Sequence, residues 1–213
     1  MAVIFDNGFE TGDWTGWTTS SAGGAVLSIE SGSNPYNGTY CARLYGFTTY
    51  DTGYFAYTFS PRPADCYMRM YIKPMVRFEN FGFDHVNFTA YSGKAMNIRL
   101  TSAGTMKLTT DGVLRGTTTT ALTLNQWNLV QFRFKFADAD SVCEIKVGEE
   151  TLTDTTSIGV TTLNYMRWYG ASHNSAVEGV EYDCIVTDNA EYPGPLVTNK
   201  PWISLIQDEL WNY

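Results

Sequence analysis

Residues 125–136 read NQWNLVQFRFKF, and within them Val130, Phe132, Phe134 and Phe136 alternate with Gln131, Arg133 and Lys135. A period of two puts alternate side chains on opposite faces of a strand, so one face is buried and the other is wet. Four large apolar side chains on one face need a second layer to cover them, which predicts a partner sheet. Residues 65–73 repeat the pattern: Cys66, Met68, Met70 and Ile72 face one way, and Tyr67, Arg69, Tyr71 and Lys73 the other. Phe55, Tyr57 and Phe59 share a side. Residues 40–44 alternate, and Met96, Ile98 and Leu100 form a hairpin with Met106 and Leu108 across residues 102–104. Residues 81–91 carry two phases, which predicts a bulge near Asp84 and His85. A threonine run after Asp111-Gly112 reads as an edge strand or loop. Further strands are predicted over 142–147, 163–169 and 180–187. No helical periodicity is present between residues 1 and 192. Many short strands separated by turn signals predict an all-β fold, a two-sheet antiparallel sandwich or jelly roll.

The last stretch differs. Pro193-Gly194-Pro195 ends the strand pattern, and Trp202, Leu205, Ile206 and Leu210 then recur at helical spacing, with Asn199 as a cap and Pro201 in the first turn. The chain therefore reads as one domain over 1–192 and a C-terminal arm over 193–213 that holds one short helix. Trp202, Leu205, Ile206, Leu210 and Trp211 are too many apolar residues for a free tail in water. The arm either folds back over its own sandwich or docks on a partner, and the second alternative gives assembly into a homo-oligomer.

Composition narrows the partners. The 213 residues include 14 basic and 22 acidic ones, a net charge of −8. Nucleic-acid binders present a basic surface, so nucleic acid is not an expected partner. No apolar stretch approaches the roughly 20 residues needed to span a bilayer, and the opening residues lack the basic and apolar regions of a secretory signal. The chain is thus expected either to be made in a host cytoplasm and used without the secretory route, or to be a piece of something larger, and no membrane association is expected. Cys41, Cys66, Cys143 and Cys184 match no metal spacing and read as buried free thiols. A Cys66–Cys184 bridge is the alternative if their strands pair suitably.

Two stretches carry a resemblance. FDNGFETGDWTGW, over residues 5–17, resembles the opening of bacterial and phage carbohydrate-binding modules. QWNLVQFRFKF, CEIKVGEETL and VEYDCIVTDN, in that order, resemble the concanavalin A-like and laminin-G-like jelly rolls. The resemblance implies that superfamily's fold, shared by lectins, glucanases, lyases and phage tail or capsid proteins. It also implies a structural calcium held by Glu10 and Asp183, with Asp6, Asn7 or Asp51 adding oxygens. The alternative leaves Asp6-Asn7-Gly8 as a turn, with Glu10 and Asp183 in water.

Catalysis and binding separate on particular residues. A laminarinase-type hydrolase needs a second glutamate where this chain has Val186, after Glu181 and Asp183, and its double carboxylate chemistry fails without that residue. His85 and His173 are the only histidines, the first at the expected bulge and the second in a loop. For binding, Tyr67, Arg69 and Tyr71 share one wet face, and Tyr165, Arg167 and Tyr169 share another. Flat rings stack on sugars and a guanidinium forks to hydroxyls or acids, so the six form a platform if the two strands share a sheet. The alternative is cross-strand pairing that stabilises a solvated face. The sequence thus reads as a non-catalytic surface sandwich that binds glycan or other virion proteins, set on a phage virion as a capsid decoration or tail protein. The alternatives are an extracellular carbohydrate-binding module of a polysaccharide-degrading enzyme, and a lyase or glycosidase.

Overall fold

The computed structural model describes residues 3–32, 34–46, 51–75, 86–91, 95–101, 103–137, 139–157, 162–172 and 179–194. Among them every regular element is a strand. In chain order these are β1 (Val3–Asn7), β2 (Thr18–Ala22), β3 (Val26–Glu30), β4 (Cys41–Tyr45), β5 (Asp51–Thr58), β6 (Asp65–Pro74), β7 (Val86–Tyr91), β8 (Ala95–Leu100), β9 (Met106–Thr110), β10 (Val113–Thr117), β11 (Asn128–Lys135), β12 (Val142–Val147), β13 (Glu150–Asp154), β14 (Tyr165–Ser172) and β15 (Val180–Asp188). Expectations for Phe81, Phe83, Asp84, His85 and His173, and for Trp202, Leu205, Ile206, Leu210 and Trp211 of the arm, lie outside the described residues.

The strands form two antiparallel sheets. One has eight strands in the order β13-β12-β11-β6-β15-β4-β3, with β1 also paired to β15; the other has seven in the order β10-β9-β8-β7-β14-β5-β2. The expected sandwich is present, and the two strongest alternating stretches lie side by side at its centre. Val130 pairs with Met70, Phe132 with Met68 and Phe134 with Cys66, so the apolar faces of β11 and β6 merge into one inward surface. Phe132, Met68 and Met70 are fully buried, and Phe134 is 1% exposed. From the other layer Phe55, Ile98, Leu108, Met166 and Trp168 close the core.

Two strands were not evident from sequence. β2, TTSSA, is exposed along its whole length and has no apolar alternation to announce it. It forms because it adds an edge to β5. β13 follows the turn at Gly148 and pairs with β12. The edge strand after Asp111-Gly112 is β10, which takes in only Thr117 of the threonine run; Thr118 to Thr120 form a loop. There the Glu150 carboxylate accepts the backbone N–H groups of Thr119 (2.7 Å) and Thr120 (2.6 Å). These donors hold the Glu150 pKa down at about 2.

All four cysteines are free and buried. The register explains why Cys66 and Cys184 do not join. Asp188 faces Tyr67 and Asp183 faces Tyr71, so Cys184 sits far along the β6–β15 ladder from Cys66.

Phe134 lies between Cys66 and Cys143 on neighbouring strands. Phe134→Ala is expected to cost about 3–5 kcal/mol in urea melts, as for a large core aromatic with no room to collapse. A loss below about 1 kcal/mol would contradict the burial.

Candidate functional site

The two tyrosine–arginine sets do not share a sheet. Tyr67, Arg69 and Tyr71 belong to β6 in the eight-stranded sheet, and Tyr165, Arg167 and Tyr169 to β14 in the seven-stranded one. Alternation places side chains on a face but says nothing of which strand becomes the neighbour, so the single six-residue platform is replaced by two separate faces.

On β6 the wet face is covered by the chain itself. Tyr36 stacks on Tyr71 with ring centres 3.5 Å apart, and Tyr71 is only 3% exposed. Arg69 donates to the Gly194 carbonyl, and Gln131 donates to the Pro193 carbonyl at 3.1 Å. Tyr192 packs edge-on against Tyr67 and donates to Glu144. Arg133 pairs with Asp65 at 2.8 Å, and Lys73 with Glu181 at 2.9 Å. Glu181, weighed as a hydrolase carboxylate, is thus half of a buried ion pair. Here the tyrosines and arginines hold the fold together.

The face of β14 is half-exposed at its described outward positions. β14 lies between β5 and β7, with Tyr165 opposite Thr58 and Arg167 opposite Ala56. Because Met166 and Trp168 point into the core, Tyr165 and Arg167 point out. The same alternation sends Tyr54 outward, since Phe55 beside it is fully buried. The Arg167 guanidinium lies over the Tyr54 ring, 5.1 Å from its centre. A depression of about 220 Å³ opens here, lined by Thr18, Tyr54, Ala56, Thr58, Tyr165 and Arg167. Tyr169 pairs with Tyr54 in the register, and its side chain lies outside the described set. Tyr54 was not singled out from sequence, although the alternation that put Phe55, Tyr57 and Phe59 on one side already assigned it to the other face. Two planar rings, a fixed guanidinium and threonine hydroxyls suit a ligand with flat apolar faces and many hydroxyls.

The residues expected to hold calcium meet in part. β15 changes neighbour midway: Val180 to Tyr182 pair with β4, and Ile185 to Asp188 with β1. At the change the strand bulges, and Cys184 takes a positive φ of 50°. The bulge turns the Asp183 carboxylate toward the loop before β4. It accepts the N–H of Asn37 at 3.0 Å and of Cys184 at 2.6 Å. Glu10 accepts N–H groups of the same loop, from Thr39 at 2.9 Å and Tyr40 at 3.2 Å. Gly38 is required there, because a Cβ on it would meet the Glu10 carboxylate at 2.3 Å. Asp6, on β1, is exposed and sits opposite Val186.

Calcium takes six to eight oxygens, with lone pairs directed at the ion. Here both carboxylates are turned to N–H donors, and the described residues hold no group of three or more His, Cys, Asp or Glu placed for a metal. The pair works instead as a clasp that fastens the loop before β4 to β15 and to the segment after β1. The described residues do not supply the expected cage. Burial, aided by the Glu10 charge, pushes the Asp183 pKa up from 3.8 to about 6, against the lowering effect of its N–H donors.

No family model matches the chain, and no curated protein sequence does. Solved structures do match. The alginate lyase vAL-1 from Chlorella virus superposes with a TM-score of 0.64 at 9% identity, over 88% of this chain and 100% of that one. A protein of unknown function with a galectin-like fold from Bacillus subtilis gives 0.59 at 9% identity, over 91% and 98%. The basic winged bean lectin with Tn-antigen gives 0.58 at 9% identity, over 86% and 96%. At these identities the likeness shows the fold alone, a two-sheet antiparallel jelly-roll sandwich.

Two outcomes follow for the clasp. Because folding raises the Asp183 pKa, the folded state binds the proton more tightly, and stability falls as pH rises from about 3.8 to about 6. Asp183→Asn keeps an oxygen for Asn37 and is expected to flatten that part of the stability–pH curve; an unchanged curve would contradict the assignment. Melting temperature in chelator is expected to stay the same when calcium is restored, and a rise would mean that the carboxylates turn to a cation.

Proposed function

We propose that the protein is a non-catalytic carbohydrate-binding sandwich, and that its ligand lies on the outer face of the seven-stranded sheet. The observation that carries this reading is the Tyr54–Arg167 pair at the depression with Tyr165. Rings held by strands have little rotamer freedom left to lose on binding, so stacking on a sugar is pre-organised. Similarity to a lectin solved with Tn-antigen and to an alginate lyase supports a carbohydrate ligand.

The likeness to an alginate lyase also favours a second reading, cleavage of a polysaccharide on the same face. An assay for unsaturated products on mixed polysaccharides separates the two, and turnover by the purified chain would favour the enzyme. The binder reading takes a virion surface as its setting, with the arm over 193–213 as the means of assembly; an extracellular module is the alternative setting.

Glycan arrays test the ligand. Tyr54→Ala and Tyr165→Ala are each expected to weaken binding about tenfold, since the stacking area goes while the core stays intact. Unchanged affinity for a glycan that the unaltered protein does bind would remove this face from the reading. Deleting 195–213 is expected to lower the number of chains per particle measured by light scattering. An unchanged number of chains with a lower melting temperature would make the arm a cover for its own sandwich.

A further inference from the structure

The sandwich is closed at one edge and parted at the other. β10 and β13 end the two sheets on one side, and β2 and β3 end them on the other. On the first side the edges are stitched together. Asp154 of β13 accepts a hydrogen bond from Thr110 at 2.5 Å and lies 3.6 Å from Arg115 of β10. Glu150 holds the loop after β10 through Thr119 and Thr120, and a Cβ on Gly116 would meet Leu152 at 2.6 Å. On the second side a cleft of about 430 Å³ opens, lined by Trp14, by Thr19, Ser20 and Ser21 of β2, and by Val26 and Leu27 of β3.

The residues of β2 are unusual for their place. Thr19 lies opposite the fully buried Phe55 in the register, so Thr19 and, two residues on, Ser21 take the inward side of the strand. Inward positions of a sandwich are ordinarily apolar and fill the space between the sheets. Here they are hydroxyls, and they are exposed. Folding alone does not call for an edge left wet in this way. Trp14, half-buried, is fixed beside it. Its ring lies 6.0 Å from that of Phe9 and 5.3 Å from that of Phe55. Its carbonyl accepts the Trp17 N–H at 2.9 Å, and the Asp13 carboxylate accepts the Thr15 N–H at 2.9 Å. Among the described residues, none forms a hydrogen bond with the Trp14 indole N–H or with the hydroxyls of Thr19, Ser20 and Ser21.

We propose that this cleft is a second binding site, and that it takes an uncharged sugar ring of a glycan. The indole stacks on the apolar face of the ring, and the three hydroxyls both donate to and accept from the sugar's own. No ionisable side chain lines the cleft, so a carboxylate or sulfate on the sugar would lose water and gain no partner. The volume falls in the range of roughly 300–1,000 Å³ usual for small-molecule sites. Because Trp14 is held in place beforehand, little freedom is lost when the sugar arrives. Thr18 borders the Tyr54–Arg167 depression and Thr19 to Ser21 border the cleft, so β2 divides the two sites. The cleft shares with the reading above only the class of ligand.

The test is titration with xylohexaose, cellohexaose and mannohexaose, followed by calorimetry and by nitrogen-15 NMR. The Trp14 indole N–H signal, assigned by its loss in Trp14→Phe, is expected to shift with at least one of the three. Thr19→Leu combined with Ser21→Leu fills the cleft and is expected to weaken that binding about tenfold, with a melting temperature equal to or above that of the unaltered protein. If the double variant folds poorly, Ser21→Leu alone serves for the affinity comparison. Tyr54→Ala is expected to leave the Trp14 shift in place. Binding that survives the filled cleft and is lost in Tyr54→Ala overturns the cleft and leaves the carbohydrate face standing. A Trp14 signal that none of the three sugars moves overturns the cleft as well. So does a fall in the number of chains per particle on filling it, since the cleft would then be an interface between copies. If no glycan binds at either place, both readings fall.

Discussion

One aromatic cluster, built on a cross-strand pair of the seven-stranded sheet and met by Tyr182 from the other layer, sets the position of everything else. Phe55 stacks on Trp168 with ring centres 5.2 Å apart and planes within 6°, and Tyr182 from the opposite sheet meets Phe55 edge-on at 5.4 Å. Trp17 closes on Trp168 at 5.2 Å, and Phe9 on Phe55 at 5.9 Å. These rings join three elements that are remote in sequence: the opening segment, the β5–β14 pair and β15. Phe9 reaches the cluster through a positive φ of 62°, held where the Asn7 side chain accepts its N–H at 2.6 Å. The conspicuous opening motif is therefore a packing device. Trp168 also decides the site, because a strand with Trp168 inward has no choice but to turn Arg167 outward.

Local alternation was legible and strand partnership was not. The faces of β6 and β11 follow from their residues alone, and the structure keeps every one of those inward assignments. Their neighbours depend on pairing across large sequence separations, as β6 with β11 and β15, and no local pattern encodes that. The tyrosine–arginine sets consequently looked equivalent in sequence. In the fold, the set on β6 lies beneath Tyr36 and Tyr192, while Tyr165 and Arg167 border a depression. Glu10 and Asp183 were found through resemblance, and they do converge. What the resemblance did not carry was the direction of the loop between β3 and β4, whose N–H groups face the carboxylates.

The division of labour between the faces has an electrostatic logic. Partly buried charge is tolerated where a partner stands beside it, as Lys73 does beside the fully buried Glu181. The eight-stranded sheet follows this rule and its outer surface is consumed in stabilising the domain. At the edge of the other sheet, Arg115 of β10 is exposed and meets Asp154 at 3.6 Å, where water screens the pair and its contribution is small.

The route by which the chain leaves the sandwich has a geometric consequence. Asp188 accepts the N–H of Ala190 at 2.7 Å, and the turn sends Tyr192 to Gly194 across the outer surface of β6 and β11, where Arg69 and Gln131 hold the backbone. The exit point and the Tyr54–Arg167 depression are thus on opposite sides of the molecule. A body tethered through residues beyond Gly194 would carry the sandwich back-first, with the depression facing away from the tether. Many copies mounted in that way would present their open faces in parallel, and weak contacts at each would add up along one long polymer by raising the effective concentration of the next.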